Sequence, residues 1–561
     1  MATRIALTLA GGVSLGAYQG GVAYELLWAL SHLRNPQERI IIDVVTGASA
    51  GSMTAAVMAR ALLYDRGIAW DLHEAWVEGV SIKGLMDGQP AGSLLSSELI
   101  WNVAGRVLKT PSTPSRPHPA APHELRMAFT LSNLNGIRFG LGYANVPGEF
   151  DTTVFSDWII FRLGDGAPSE PPLAAVWDDV RRSAIASGAF PLAFPAVKVE
   201  RRLADYVGSD IYQRDGTREF TYVDGGLFNN EPVGLTRQIV EGLEEAYPDI
   251  RMDKRLYILV DPYVAASSAP PDLPDPLSYQ AVLPRLLNAI LGESSKRDWI
   301  QAMRVNQRLE WQDLFLSHLA GIVAGTSVTD GAALAQQIGQ LALDIAALKV
   351  KYEGRGESPR DHLSKNMARL GPMLLASDPA YAVIQNDPLR TEVFLNIVYV
   401  MENVAGLRKK EPLNLHLIAP TPGSLAGDFM GNFGGFFDQT WREHDWRRGR
   451  AAVRDFIARL EADHPEFDYT PDDPTAYTPD RDLSNVSERD IPPDTEQALR
   501  QSVKKRLARL ISPNPPGLFK RWGVDMLSAY VANRLVDRML KKGVQGQDAS
   551  APDLLRGRDD L

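Results

Sequence analysis

The 561 residues, 45% hydrophobic and 23% charged, have the make-up of a globular protein of roughly two or three compact regions rather than of a disordered chain. A formal net charge of -10 argues against a protein that coats nucleic acid, whose phosphates attract basic surfaces. With no cysteine in the chain, disulfides, thiolate catalysis and Cys-based zinc or iron–sulfur centres are excluded.

The N-terminal apolar run, Ile5 to Leu9, leads straight into Gly11-Gly12. It reads as a buried strand entering a tight turn, not as the core of a signal peptide. A helix is expected over about Gly16 to Leu33, with Tyr18, Val22, Leu26 and Leu30 on one face. Ile40 to Val45 is a second β-rich run that ends in a glycine turn before another helix. Two strand-turn-helix units in succession predict an α/β layered fold with a largely parallel sheet. The Pro-rich stretch Thr110 to His123 reads as a surface loop, and Asn135-Gly136 between two β-rich runs as the turn of a hairpin. Leu173 to Ser187 is helical in pattern, while Phe220 to Val223 and Leu256 to Val260 are short strands.

Composition changes after residue 262. The expected division is a catalytic core over 1–262, a mainly helical insertion over 263–412, and a closing part of the α/β core over 413–465. An Asp- and Pro-rich linker over 466–495 and a basic helical C-terminal region with a tail over 496–561 complete it. The closing part begins with a strand to Ile418 and includes a helix near Arg447 to Leu460. No stretch reaches about 18 uninterrupted apolar residues, so the chain is expected to be soluble, cytoplasmic or peripheral to a membrane.

Three segments carry chemistry. In Asp43 to Met58 an apolar strand runs into Gly47-Ala48-Ser49-Ala50-Gly51 and then a helix that opens with small residues. This is a G-x-S-x-G nucleophile elbow in the strand-turn-helix setting that gives the motif meaning. The helix N-terminus adds a favourable field for an oxyanion; the competing reading is a structural Gly-Ser turn. Gly11-Gly12-Val13-Ser14-Leu15-Gly16 can supply main-chain N–H groups as an oxyanion hole. A dinucleotide site would also use such a turn, but the G-x-G-x-x-G spacing is absent. In Tyr222-Val223-Asp224-Gly225-Gly226 a strand-end carboxylate followed by two glycines can serve as a base in an open site, or form a plain Asp-Gly turn.

Together these segments resemble the patatin-like phospholipases. The resemblance implies a three-layer α/β/α core and a Ser-Asp dyad, with Ser49 as nucleophile and Asp224 as base. It implies an oxyanion hole at Gly11, Gly12 and Val13, supported by Gly16, Gly47, Gly51, Gly225 and Gly226. A fourth match, Ser183 to Val197, resembles the family's Ala-Ser-x-x-x-Pro segment. The similarity covers about residues 4–262 and, more faintly, 413–460. It implies a lipid or other acyl-ester substrate, with no metal or cofactor. Two positions depart from the family loop, which has a third glycine and a basic residue where this chain has Val13 and Leu15. Val13 is compatible with main-chain donation if its φ is negative.

A triad would need a histidine after the acid, and of nine histidines His416 and His444 are the candidates. His416 reads as a satisfied core residue, and His444 as a surface or salt-bridge group. Gln501 to Gln545 holds ten Lys or Arg against two acidic residues. There Leu527, Val531, Leu535 and Met539 form an apolar stripe suited either to an anionic membrane surface or to docking on the protein. Functional alternatives are an acyltransferase or thioesterase on the same serine, or a lipid-binding scaffold with a weakened site. The helical insertion is a candidate cover that forms an acyl channel.

Overall fold

The computed structural model describes residues 2–35, 39–64, 67, 69–88, 93–111, 116–142, 149–191, 193–263, 328–352, 357–377, 381, 384, 386–404, 414–484, 486 and 490–511. The chain divides into two compact units, one of Met1–Asp298 with Asn414–Leu561, the other of Trp299–Leu413.

The first unit is built on an eight-stranded mixed sheet. Its strands are β1 (Thr3–Leu9), β2 (Ile40–Gly47), β3 (Leu125–Gly142), β4 (Glu149–Leu163), β5 (Val197–Arg202), β6 (Thr217–Asp224), β7 (Lys254–Val260) and β8 (Leu415–Ile418). The order is β5-β6-β3-β2-β1-β7-β8, with β4 also paired to β3. The run from β3 to β8 is parallel, and β4, β5 and β6 are antiparallel additions at one side. β2 is buried along its whole length, as a continuous Ile/Val run predicts for a strand covered on both faces.

Helices α1 (Gly16–Ser31) and α2 (Ala50–Leu63) follow the first two strands. They are succeeded by the short α3 (Asp71–His73) and α4 (Ile82–Met86), then α5 (Glu98–Val107), α6 (Leu173–Ser187) and α7 (Val233–Ala246). One face of the sheet packs Leu7, Val45, Phe129 and Ile258 into the main core with α1, α2 and α6. The other face packs Ala6, Val44 and Ala128 under Leu235, Ile239 and Leu243 of α7. The result is the expected three-layer arrangement.

The second unit contains α8 (Val328–Tyr352), α9 (Pro359–Ser377) and α10 (Pro388–Val404). Ala342 and Ala346 of α8 bury Tyr399 of α10, with small residues on one helix accepting a large ring from the other. Back in the first unit, α11 (Phe429–Asn432) and α12 (Gln439–Leu460) follow β8, and α13 spans Pro493–Ile511. Helix α12 begins well before the expected Arg447, with the Asp438 carboxylate capping it through the Thr440 amide at 2.7 Å. It crosses α1 so closely that a Cβ on Gly21 would lie 2.1 Å from the Trp446 carbonyl oxygen. One on Gly449 would lie 2.1 Å from that of Tyr18.

Two expectations change. Asn135-Gly136 does not turn the hairpin: β3 runs through it, and the register shifts between Ser132 and Ile137 while β4 continues alongside. Gly136 does take a positive φ of 70°, so the glycine is used, but for a bulge. The Asp- and Pro-rich stretch after residue 466 packs on the core in its first part. The Tyr469 and Tyr477 hydroxyls donate to buried Glu25, and Asp472 pairs with Arg450 at 2.8 Å. The basic stripe from Leu527 to Met539 lies outside the described residues. Among the described residues, no helix is long and apolar enough to cross a membrane.

Candidate active site

Strand register brings the site together. Leu9 of β1 is level with Gly47 of β2 and with Val260 of β7, so the glycine-rich loop and the elbow leave the sheet at one edge. Gly47 is level with Phe129 of β3, and two residues further along that strand Leu131 faces Asp224 of β6. Ser49 lies the same two residues beyond Gly47, which brings it to Asp224 across β3.

The Ser49 hydroxyl donates to Asp224 Oδ2 at 2.6 Å. Ser49 has φ 50° and ψ -121°, a strained conformation for a residue with a side chain. The turn is this sharp because nothing but hydrogen fits at its flanks. A Cβ on Gly47 would come within 2.6 Å of the Gly51 backbone, and one on Gly51 within 2.2 Å of the Leu9 carbonyl oxygen. The Ser49 amide donates to Ser187 Oγ at 3.0 Å, and Ser187 also bonds Ser52 Oγ at 2.8 Å. The Ala-Ser-x-x-x-Pro segment therefore holds the elbow from below, a role its sequence did not disclose.

Asp224 is only 2% exposed. Its Oδ1 accepts the Gly226 amide at 2.8 Å, and its own backbone is tied to Ala189 and to the Ser132 hydroxyl. Gly225 must lack a side chain because a Cβ would lie 2.1 Å from the Thr130 carbonyl oxygen. Burial pushes the Asp224 carboxyl up to about 6, against which the Ser49 and Gly226 hydrogen bonds act only partly. Among the described residues, no histidine bonds Ser49 or Asp224. His444 is buried rather than at the surface, but it has the expected ion-pair partners: Nδ1 is 3.1 Å from Asp445, and Nε2, which makes no hydrogen bond, is 3.9 Å from Asp482. His416 is a half-buried residue whose Nε2 also lacks a partner, so it is not satisfied as expected.

The glycine-rich loop reaches the same edge, and its three expected donors differ. The Gly11 amide is engaged with the Asn230 carbonyl at 3.1 Å. Among the described residues, neither the Gly12 nor the Val13 amide donates to a backbone carbonyl. Val13 has φ 51°, not the negative φ expected, an outlier for a β-branched side chain. Ser14 secures the loop: its hydroxyl bonds the Asn432 carbonyl and accepts the Gly435 amide at 3.0 Å. Leu15, where the family loop has a basic residue, is fully buried in the core.

Ser49 and Val13 stand at the mouth of an apolar cavity of about 770 Å³, part of it open to solvent. Its walls come from α2, α5 and α6 and from Phe190, Phe194 and Phe436. All of these residues lie in the first unit.

Residues 7–236 match the family described as patatin-like phospholipase. Over that stretch the chain is similar to the patatin-like phospholipases. It is also similar to the uncharacterized protein y4iI of Sinorhizobium fredii, 21% identical over an alignment covering 42% of this chain and 45% of the relative. The chain thus spans less than half the length of that relative. The matched region begins within β1 and ends within α7, so β2 to β6 and both expected dyad residues fall inside it.

Proposed function

We propose that this protein is a serine acyl hydrolase of lipid esters, with Ser49 as nucleophile and Asp224 as general base. The observation that carries the reading is the 2.6 Å hydrogen bond from the Ser49 hydroxyl to a buried carboxylate at the mouth of an apolar cavity. In the first half-reaction Ser49 Oγ attacks the ester carbonyl and its proton passes to Asp224 Oδ2. The carbonyl oxygen becomes an oxyanion facing the Gly12 and Val13 amides, each such donor stabilising it by on the order of 3 kcal/mol. The field of α2, whose first residue follows the nucleophile, acts in the same direction.

Collapse of the tetrahedral intermediate breaks the ester C–O bond, and the leaving alkoxide takes the proton from Asp224. Water then attacks the acyl-Ser49 ester, giving its proton to Asp224. Collapse returns that proton to Ser49 and releases the carboxylic acid. A carboxyl group near 6 suits this cycle: it is ionised at pH 7 yet a stronger base than an exposed aspartate.

The test is covalent labelling by a fluorophosphonate together with a panel of phospholipid and lysophospholipid esters. Wild-type protein is expected to label and to hydrolyse at least one of them. Ser49→Ala should lose the label and about 10⁴-fold or more of the rate. A folded wild type that neither labels nor hydrolyses sinks the proposal.

A further inference from the structure

The cavity behind Ser49 has a direction, because the helices lining it have one. Ala50, Met53 and Val57 form one face of α2, descending from Ser49. Helix α5 runs the same way: Leu95, just before it, bonds Ala193 beside the mouth residue Phe194, while its end is fastened to the far part of α2. There the Arg60 guanidinium donates to the Val107 carbonyl at 3.4 Å and to that of Lys109 at 2.8 Å. Helix α6 runs the opposite way and delivers Ala184, Ile185 and Gly188 to the mouth, next to Ser187.

The far end is therefore Val57, Val107 and Leu108, all of which line the cavity. They are 2%, 3% and 3% exposed. From Ala50 to Val57 the wall is two helical turns, about 10 Å. An extended acyl chain covers that in roughly eight carbons at about 1.3 Å each.

Resting on the assignment of Ser49, we infer that this cavity is a blind acyl gauge. Val57, Val107 and Leu108 form its floor, and it selects esters of medium-length acyl chains of roughly eight to ten carbons. Longer chains must leave their ends in water or bend back through the mouth, so each carbon past the floor adds no burial. Arg60 acts as a positioning residue, keeping the C-terminus of α5 against α2 so that the floor stays shut.

The experiment separates binding from chemistry. Full-length Ser49→Ala protein is titrated calorimetrically with saturated fatty acids of six to sixteen carbons below their micellar concentrations. Affinity is expected to rise about fourfold per methylene and to break at about ten carbons. Val57→Phe in that background should move the break two or three carbons shorter, and Leu108→Ala should move it longer. Opposite shifts keep the test decisive even if one variant fails to fold. Affinity that climbs without a break to sixteen carbons overturns the inference, as does a break that neither variant moves. Failure of the Ser49 assignment has a separate signature: label or hydrolysis surviving in Ser49→Ala, whatever the break point.

Discussion

Glu124 immediately precedes β3 and Asp224 of β6 lies opposite Leu131 further along that strand, and both carboxylates are almost wholly buried, at 3% and 2% exposure. Their charges are handled in opposite ways. Glu124 accepts Arg126 Nε at 3.0 Å, Arg162 at 3.0 and 2.7 Å, and the Tyr247 hydroxyl at 2.9 Å. Burial alone would raise this carboxyl, but these donors outweigh it and hold the group below its ordinary value. Asp224 has one hydroxyl and one amide, and burial wins. A buried carboxylate placed for architecture is given cations, whereas one left without them keeps its basicity. The cost of that basicity is stability, and it can be measured.

Asp224→Asn breaks the comparison most severely. The carboxamide keeps both hydrogen bonds, with Oδ1 facing the Gly226 amide and Nδ2 facing Ser49, but it cannot take a proton. Ester hydrolysis should fall by 10³-fold or more. Because the folded group binds its proton more tightly than the unfolded one, the wild type loses stability as pH rises from about 4 to about 6. Above that it carries a penalty of about 3 kcal/mol. Denaturant unfolding should therefore show the inactive variant more stable by up to that amount at pH 7, with the gain vanishing near pH 4. A gain over wild type no larger at pH 7 than at pH 4 would contradict the raised carboxyl. In the wild type, kcat/KM should drop about tenfold per pH unit below 6.

Glu124→Gln tests the other carboxylate. Removing the negative charge leaves Arg126 and Arg162 short of their acceptor and should cost about 2 kcal/mol at pH 7. Here the folded group is the stronger acid, so the wild-type advantage is present above about pH 4.5 and disappears as pH falls through the depressed value. Hydrolysis should stay within about threefold of wild type. Large loss of activity in a stable Glu124→Gln protein would mean that the two carboxylates are not independent.

Those opposite outcomes mark what was legible beforehand. Ser49 could be found because strand, glycines and helix are local features, and the contacts of Gly47 and Gly51 show why no other residue serves there. Asp224 could be placed at a strand end, but its basicity depends on its burial, which distant parts of the chain supply. The support of Ser49 by Ser187 crosses 138 residues and leaves no periodic trace. For His444 the ion pairing was legible in the charged run from Arg442 to Arg448, but the burial was not. In α12 those residues divide between exposed and buried positions, and His444 and Asp445 take the buried ones. Asn135-Gly136 misled for another reason: the pair signals a positive φ, and bulge and hairpin turn use that conformation alike.

Backbone strain follows the same division as charge and yields the smallest effect. Among the described residues, the non-glycines with positive φ are Val13, Ser49 and Asn432, all at the site end of the sheet. Ser49 is strained so that its hydroxyl stands clear of the turn, and Asn432 receives the Ser14 hydroxyl that fastens the loop. Val13 gains nothing by its side chain that a main-chain donor requires, since only its amide faces the proposed oxyanion. A left-handed conformation costs an L-residue about 1–2 kcal/mol, and a β-branched one sits at the upper end. Val13→Gly should remove that strain while adding unfolded-state entropy. The net gain should be about 1 kcal/mol, read as a higher denaturation midpoint at unchanged m-value. If the amide is the donor, kcat should survive the substitution, because the donating group is untouched. A tenfold loss would instead mean that the valine side chain itself positions the acyl chain at the mouth, and would move Val13 from the oxyanion loop to the wall of the cavity.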